Sequence, residues 1–292
     1  MLGLPRSGLL ATIAVAAIAT TGAVALADEF EGTNGRDNMR GTEQADDMYG
    51  DRGDDVMFGA GGNDKMNGGP DSDLVIGGKG DDRILGATCE VGNVGRLCEN
   101  PGHETLRGGL GNDTLLANDC VVTFCAYDPY IALDSKYEGG PGNDTVIGAD
   151  GRDEIRGGPG RDSLKGVRAN DRIHGDRADD RIVGGGGSDV LDGGPGADFI
   201  KGRAGADQVF GGRGRDRLWG TEGDDLIGGG RGADRLKGGP GFDTIRAGAE
   251  NDRVYAHDDH GDDIDCGPGT ADVAFVDARD AVRRCEHLIV RS

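Results

Sequence analysis

The feature that most constrains this chain of 292 residues is an aspartate that recurs at every ninth position. A period this short and regular is typical of a solenoid, in which each unit buries its apolar side only by stacking on its neighbours. The set contains two unbroken series and one isolated member: Asp37, Asp46, Asp55, Asp64, Asp73, Asp82; Asp113; Asp144, Asp153, Asp162, Asp171, Asp180, Asp189, Asp198, Asp207, Asp216, Asp225, Asp234, Asp243 and Asp252.

Each of these 20 residues is the sixth position of a nine-residue unit, Gly-Gly-x-Gly-x-Asp-x-U-x, in which U is apolar. We call them the position-six aspartates. Residues 139–147 and 193–201 are clean copies, and the first position is Gly in every unit except the one that has Ala247. Glycine permits the positive φ of a tight turn, so the first six residues predict a turn. The last three predict a short strand with U pointing to one side.

Two units of this kind form one coil of 18 residues with a strand on each side. The U residues of both strands then meet in the middle, and stacked coils pair as parallel strands about 4.8 Å apart. The pattern therefore predicts an all-β fold, a parallel β-roll solenoid.

The predicted turns bring carboxylates close together. Turns 18 residues apart stack directly, which places Asp144 over Asp162 and Asp153 over Asp171, and unpaired carboxylates at that spacing would repel one another. A flexible cage of oxygen atoms suits Ca²⁺, which takes about six to eight oxygen ligands, whereas Mg²⁺ demands a near-octahedral shell. The alternative is a metal-free solenoid whose Gly and Asp residues only bend the chain, because both are ordinary turn residues.

These units resemble the calcium-binding nonapeptide repeats of the repeats-in-toxin (hemolysin-type) family over roughly residues 32–255. The resemblance implies the β-roll fold, Ca²⁺ as the bound ion, and the 20 position-six aspartates with turn carbonyls as its ligands. Three turns, at residues 41–46, 166–171 and 175–180, lack the second and third glycines, and we expect them to bind calcium weakly or not at all. The C-terminal tail resembles that of secreted repeat proteins from Gram-positive bacteria.

The charge of the chain fits this interpretation. With 53 acidic and 32 basic residues and a net charge of −21, the chain should avoid nucleic acid, whose binding needs a basic surface. Many basic residues fall on outward strand positions, which we interpret as solvated sheet faces. The 58 glycines make folding entropically costly, so we expect the calcium-free chain to be largely disordered and metal binding to supply folding free energy.

The N-terminus has the pattern of a targeting segment. Arg6 precedes an apolar run from Leu9 to Leu26, and Ala25-Leu26-Ala27 is a small-x-small cleavage pattern. We expect a secretory signal peptide at residues 1–27, a mature chain that starts at Asp28, and a secreted, extracellular protein. The alternative is a retained membrane anchor, since the run is just long enough to span a bilayer.

The six cysteines suggest disulfides in an exported chain. Their proximity in sequence favours the pairs Cys89–Cys98, Cys120–Cys125 and Cys266–Cys285, although the sequence alone permits 15 pairings. Zinc ligation is the alternative. His257-Asp258-Asp259-His260 could also bind a metal or be a polar loop.

The spacing of the aspartates divides the chain further. We expect a first β-roll block at 28–85, two insertions (86–107 and 117–138) that flank one repeat unit within 86–138, a second block at 139–255 and a C-terminal cap at 256–292. The second insertion holds four aromatic residues. It is a candidate surface for a cell-surface or protein partner, or else a loop that packs on itself.

Motifs of known enzymes are lacking in this sequence: it has no Gly-x-Ser-x-Gly and no His-Glu-x-x-His. In the toxin, protease and lipase members of the family it resembles, catalysis lies outside the repeats. The sequence therefore predicts a secreted, non-enzymatic protein that folds on binding extracellular calcium. The alternatives are a calcium-stabilised adhesion or matrix protein and a hydrolase whose site lies in the insertions.

Overall fold

The computed structural model describes residues 28–87, 90–92, 95–97, 105–118 and 134–291, and within these ranges all regular structure is β. Most strands are three to six residues long because a new turn begins in each nine-residue unit. The strands are β1 Glu29–Thr33, β2 Asn38–Arg40, β3 Asp47–Asp51, β4 Val56–Gly61, β5 Lys65–Asn67, β6 Leu74–Lys79, β7 Arg83–Ala87, β8 Glu90–Gly92, β9 Gly95–Leu97, β10 Thr105–Leu110, β11 Thr114–Asn118, β12 Lys136–Glu138, β13 Thr145–Ile147, β14 Glu154–Pro159, β15 Ser163–Arg168, β16 Arg172–Arg177, β17 Arg181–Gly186, β18 Val190–Pro195, β19 Phe199–Ala204, β20 Gln208–Arg213, β21 Arg217–Glu222, β22 Leu226–Arg231, β23 Arg235–Lys237, β24 Thr244–Ala249, β25 Arg253–Tyr255, β26 Asp263–Asp265, β27 Val273–Val276, β28 Ala281–Arg283 and β29 His287–Val290.

Two long parallel sheets run the length of the molecule. Sheet A has 14 strands in the order β1-β3-β5-β7-β11-β13-β15-β17-β19-β21-β23-β25-β27-β29. Sheet B has 13 strands in the order β2-β4-β6-β10-β12-β14-β16-β18-β20-β22-β24-β26-β28. The chain alternates between the two sheets, so that each pair of units makes one coil. The predicted all-β parallel β-roll, with two nine-residue units per coil, is confirmed.

The core is a single column of U residues between the sheets. On β17 and β19, Ile182 pairs with Ile200 in register, 18 residues apart, and both side chains are fully buried. Their strand neighbours point outward because successive side chains of a strand alternate between its faces. The repeat period therefore sets strand register and core composition together.

The structure corrects the predicted extent of both insertions. Leu106 and Tyr137, which fall inside 86–107 and 117–138, are fully buried core residues, and β10 and β12 that carry them belong to sheet B. Leu106 pairs with Val75 on one side and with Tyr137 on the other. Two further units were thus hidden in the insertions, and the roll runs through them without interruption. The first insertion also contains the antiparallel pair β8–β9.

The segment predicted as a C-terminal cap continues the roll. β26 to β29 add further rungs to both sheets, and Cys266 and Cys285 form the predicted disulfide, with their Cα atoms 5.1 Å apart. Leu288 on the last strand is half exposed, and the disulfide ties the final coil to the coil before it.

Several predictions concern residues outside the described ranges. These are the N-terminal segment 1–27, the pairs Cys89–Cys98 and Cys120–Cys125, and most of the second insertion, at 119–133. Within the described part of the chain, no helix is long and apolar enough to cross a membrane.

Two neighbouring aliphatic residues on β17 allow a test of the core. Ile182 points inward and is fully buried, whereas Val183 is partly exposed on the outer face. We expect Ile182→Ala to lower the free energy of unfolding by about 2–5 kcal/mol, because it leaves a cavity in a narrow core to which each sheet contributes one U residue per coil. Val183→Ala should cost less than about 1 kcal/mol. Denaturant titrations of both variants in calcium measure the difference, and equal losses would contradict the assigned faces.

Candidate calcium sites

All 20 position-six aspartates lie at the corners of the roll, where each turn enters the next strand, and all are buried. They form two columns, one before the strands of each sheet. Burial of a carboxylate is costly unless the charge is paired or hydrogen-bonded. The partners of the two carboxylate oxygens therefore decide what these corners can bind.

The first oxygen, Oδ1, joins each coil to the one before it. The backbone N–H of Asp189 donates to Oδ1 of Asp207 at 2.8 Å, and that of Asp198 donates to Oδ1 of Asp216 at the same distance. The same bond repeats along both columns and bridges an insertion, where Asp113 accepts from Asp82 and donates to Asp144. Each aspartate is thus fixed by the chain of the neighbouring coil, as the predicted stacking of Asp144 on Asp162 requires.

The second oxygen, Oδ2, is different. In 16 of the 20 position-six aspartates it is buried and, within the described residues, accepts no hydrogen bond. A carboxylate oxygen held away from water without a donor is strongly destabilising at neutral pH. The 16 are Asp55, Asp64, Asp82, Asp113, Asp144, Asp162, Asp171, Asp180, Asp189, Asp198, Asp207, Asp216, Asp225, Asp234, Asp243 and Asp252.

The first glycine of the unit makes room for this oxygen. A Cβ atom on Gly202 would lie 2.1 Å from Oδ2 of Asp207 and 2.8 Å from the carbonyl oxygen of Gly220 in the next coil. A side chain on Gly202 would therefore collide with the carboxylate unless the turn shifted, as it must where Ala247 occupies this position. Oδ2 and a carbonyl oxygen of the following coil thus face the same small space, which is lined by oxygen atoms.

Three turns close this space by themselves. The backbone N–H of Thr33 donates to Oδ2 of Asp37 at 2.6 Å, and Ala149 donates in the same way to Asp153 at 2.7 Å. Thr42 does so to Asp46 at 2.6 Å. We call these three the capped turns, and the turns of the 16 aspartates with a bare Oδ2 the open turns.

The backbone of the second residue separates the two kinds of turn. In open turns this residue has a positive φ, as in Gly212 at 102° and Val167 at 114°, whereas Thr33, Thr42 and Ala149 do not have one. In the open turn at Gly140 the N–H points to the carbonyl of Gly157 in the next coil, at 2.9 Å. In a capped turn the N–H of the second residue points inward and donates to Oδ2, the oxygen that would otherwise be free to bind a cation.

The three turns that depart from the repeat motif do not behave alike. The turn at 41–46 is capped, and the weak binding that we expected there stays a prediction. The turns at 166–171 and 175–180 are open: Val167, Ala169, Asp176 and Ala178 adopt the positive φ that glycine usually supplies. A non-glycine residue in this region is strained, so in these two turns the stacked neighbours impose the open shape on an unfavourable sequence.

The electrostatics of the open turns favour a cation. Burial raises the pKa of Asp171 to about 8; a hydrogen bond from the Asp153 backbone opposes this rise, and the charges of Asp153 and Asp189 add to it. Burial likewise raises the pKa of Asp180 to about 8 and that of Asp207 to about 7. A carboxylate with a pKa in this range is stabilised by a proton or by a metal ion.

Three residues of the same columns escaped the sequence prediction. Asp262 and Asp272 are buried, each has a bare Oδ2, and they accept from the backbones of Asp243 and Asp252. Their spacings of 19 and 20 residues break the strict period, although the Asp-x-Ile pattern at 262–264 marks the first. Ser135 occupies the corresponding corner before β12, so that this corner carries no carboxylate.

The turn before Asp262 is one residue longer and adds a further carboxylate. One oxygen each from Asp243, Asp258 and Asp262 lies within 4.8 Å of the others. Of the predicted cluster 257–260, only Asp258 joins this group. His260 stays beside it, with Nδ1 3.6 Å from the Asp258 carboxylate.

The oxygen atoms that could act as metal ligands in the turns fit one class of ion. Bare carboxylate oxygens and backbone carbonyls are hard ligands in an adaptable arrangement, which is the set that Ca²⁺ prefers. The position-six aspartates that resemblance assigned to calcium are thus gathered into two columns. The three capped turns offer the ion one oxygen fewer than the open turns.

Comparison with known families agrees with this chemistry. The model of the RTX calcium-binding nonapeptide repeat matches the chain at residues 31–66, 58–88, 100–120, 138–168, 165–200, 192–227, 201–236 and 228–263. Among curated proteins, none is significantly similar to the chain. The matched segments span well over half of the sequence and contain every position-six aspartate. The chain therefore belongs to the RTX calcium-binding nonapeptide repeat family.

Proposed function

We propose that this calcium-binding repeat protein is secreted and folds when it meets extracellular calcium. The observation that carries the proposal is the double column of buried carboxylates whose Oδ2 atoms have no hydrogen-bond donor in the described structure. Calcium, when bound, would supply the positive charge that these oxygens need.

The energetics favour folding that is coupled to binding. The apolar core of the described residues is narrow and consists mainly of U residues, while ordering a chain with 58 glycines costs much conformational entropy. At neutral pH each buried, bare carboxylate adds a further penalty. An ion that binds the folded turns but not the unfolded chain removes this penalty. It thereby shifts the equilibrium to the folded state by mass action.

The proposed location follows from sequence and chemistry together. Residues 1–27 have the composition of a secretory signal, and a disulfide such as Cys266–Cys285 persists in oxidising compartments. Calcium is abundant outside cells, where sites with dissociation constants of about 0.1–1 mM suffice. The chain would then leave the cell as a flexible polyanion and fold outside.

We propose no catalytic role for the roll. The carboxylates whose pKa is raised to about 8, such as Asp171 and Asp180, are buried at the corners of the roll, where a substrate has no access. A hydrolase would need its site elsewhere in the chain.

A calcium titration of residues 28–292, followed by far-UV circular dichroism, tests the proposal. We expect a cooperative change from a disordered to a β spectrum as calcium rises, reversed by a chelator, because the ion supplies the folding free energy. Magnesium at the same concentrations should have little effect, since it fits a flexible oxygen cage poorly. A β spectrum that chelator leaves unchanged would mean that packing and the disulfide suffice, and the proposal would be wrong.

Acidification should partly substitute for calcium in stabilising the fold, because protons also neutralise the buried carboxylates. Burial raises the folded pKa of Asp64 to about 6 and that of Asp171 to about 8, and both lie above the value near 3.9 of an unfolded Asp. For groups raised in this way, the stability of the calcium-free fold is fully present below the unfolded pKa and is lost as pH rises through the folded pKa. In chelator, β structure should therefore increase as the pH falls from 8 to 5.

The same pH series in saturating calcium serves as the control. There the β spectrum should change little above pH 6, since the ion already neutralises the carboxylates. A calcium-free chain that lost β structure on acidification would contradict the raised pKa values.

A pair of variants distinguishes open turns from capped turns. Asp198 has a bare Oδ2, whereas that of Asp153 is capped by Ala149, and Asn keeps an oxygen for the Oδ1 bond in both. We expect Asp198→Asn to bind at least about one calcium ion fewer than the wild type, and Asp153→Asn to bind an unchanged number. Equilibrium dialysis with metal analysis counts the ions. An equal loss in both variants would show that capping does not exclude calcium.

A further inference from the structure

The outward face of sheet A carries an unusual charge pattern between β17 and β25. Five strands present ten outward positions there, namely the first and third residues of β17, β19, β21, β23 and β25. Six of these are cationic, none is acidic, and the others are apolar or aromatic. We call this area the basic face, and its cations are Arg181, Lys201, Arg217, Arg235, Lys237 and Arg253.

Like charges stand in register on this face. Arg217 pairs with Arg235, and Arg235 with Arg253, so three guanidinium groups follow one another at the spacing of neighbouring strands, about 4.8 Å. Like charges directly opposite in a sheet are destabilising. Within the described residues, none of the six cations forms an ion pair.

Sheet B shows that this arrangement is not a consequence of the repeat. On its outer face Arg156 lies 3.4 Å from Glu154, and Lys136 lies 3.1 Å from the same carboxylate. Arg283 pairs with Asp263 at 2.7 Å. The same fold thus accommodates acidic partners at outward positions, and the basic face lacks them.

Aromatic rings hold part of the basic face in place. The Lys201 ammonium lies 4.1 Å from the centre of the Trp219 ring, and the Arg181 guanidinium 5.0 Å from that of Phe199. Cations so placed are attracted by the ring quadrupole, and the rings restrict their movement. Each cation occupies one face of its ring, which leaves less ring surface for stacking on nucleic-acid bases.

Calcium would strengthen the positive potential of this face; this step rests on the proposed function. From Gly139 to Tyr255 the chain has 21 acidic and 18 basic residues, and 13 of the acidic residues are position-six aspartates at the edges of the sheets. Ions bound at those edges offset the 13 carboxylates. The remaining side chains are then 8 acidic and 18 basic.

We propose that the basic face binds a linear acidic polysaccharide. The sheet is a rigid, open surface that repeats its cations at a constant spacing, and a polymer of acidic sugars repeats its carboxylates along a stiff chain in the same way. Charge complementarity of this kind sets both the orientation and the rate of association. Binding would relieve the repulsion among Arg217, Arg235 and Arg253.

Binding of fluorescently labelled hyaluronan oligosaccharides to residues 28–292, measured in saturating calcium, tests the proposal, with uncharged dextran oligosaccharides as the control. We expect the wild type to bind hyaluronan and not dextran, with an affinity that falls as salt rises. The triple variant Arg217→Glu, Arg235→Glu, Arg253→Glu should bind hyaluronan with an affinity at least about tenfold lower than that of the wild type. The triple Arg217→Gln, Arg235→Gln, Arg253→Gln should also lose affinity without adding new charge.

A matched variant on sheet B controls for net charge. Arg156→Glu, Arg172→Glu, Arg246→Glu makes the same change in charge at outward positions of the other face and should bind like the wild type. An equal loss in this variant would overturn the basic face as the site. If the wild type bound a single-stranded DNA oligonucleotide or anionic phospholipid vesicles more tightly than hyaluronan, the assignment of the ligand as an acidic polysaccharide would be wrong.

Calcium binding and folding are measured on the same samples, so the two proposals fail separately. A chain that binds calcium and folds, yet does not bind hyaluronan, overturns the basic face alone. Hyaluronan binding by a chain that binds no calcium supports the basic face and contradicts the proposed function.

Discussion

Carboxylates stacked in register at the corners of the coils are the constraint on which the rest of the structure depends. Each one is held by the backbone of the preceding coil through Oδ1, as in the 2.8 Å bond from Asp189 to Asp207, so it cannot move out to water without breaking the ladder. In the open turns its other oxygen then lies where a cation or a proton must compensate it. One arrangement thus ties neighbouring coils together and creates the oxygen-lined spaces for which we propose calcium.

The period, the strand register and the inward residues follow from the sequence because each depends on spacing alone. The two units at Leu106 and Tyr137 could not be recognised, since Tyr137 is preceded by Ser135 where an Asp was sought. Asp262 and Asp272 were missed because an extra residue or two in the preceding turn shifts the period, whereas the structure absorbs the extra length outside the ladder.

Whether a turn is open or capped lies beyond local sequence. Thr42 caps its aspartate, but Thr221 at the same position has a φ of 101° and leaves its turn open; Ala149 and Ala60 differ in the same way. The backbone of the second residue either donates to the next coil or turns inward. Contacts between coils decide this choice, and a repeat motif does not encode them.

Strand and turn positions also separate the charges of the chain. Turn carboxylates lie at the edges of the sheets, while the cations of the basic face project from the strands between them, and a separation of a few ångströms is within the screening length of about 8 Å at physiological salt. Without an ion at the edges, the two sets attract one another across the surface and the face is partly neutralised. Loading of the edges with calcium would weaken this attraction, so the calcium binding that we propose for the turns would also make the basic face available to an external anion.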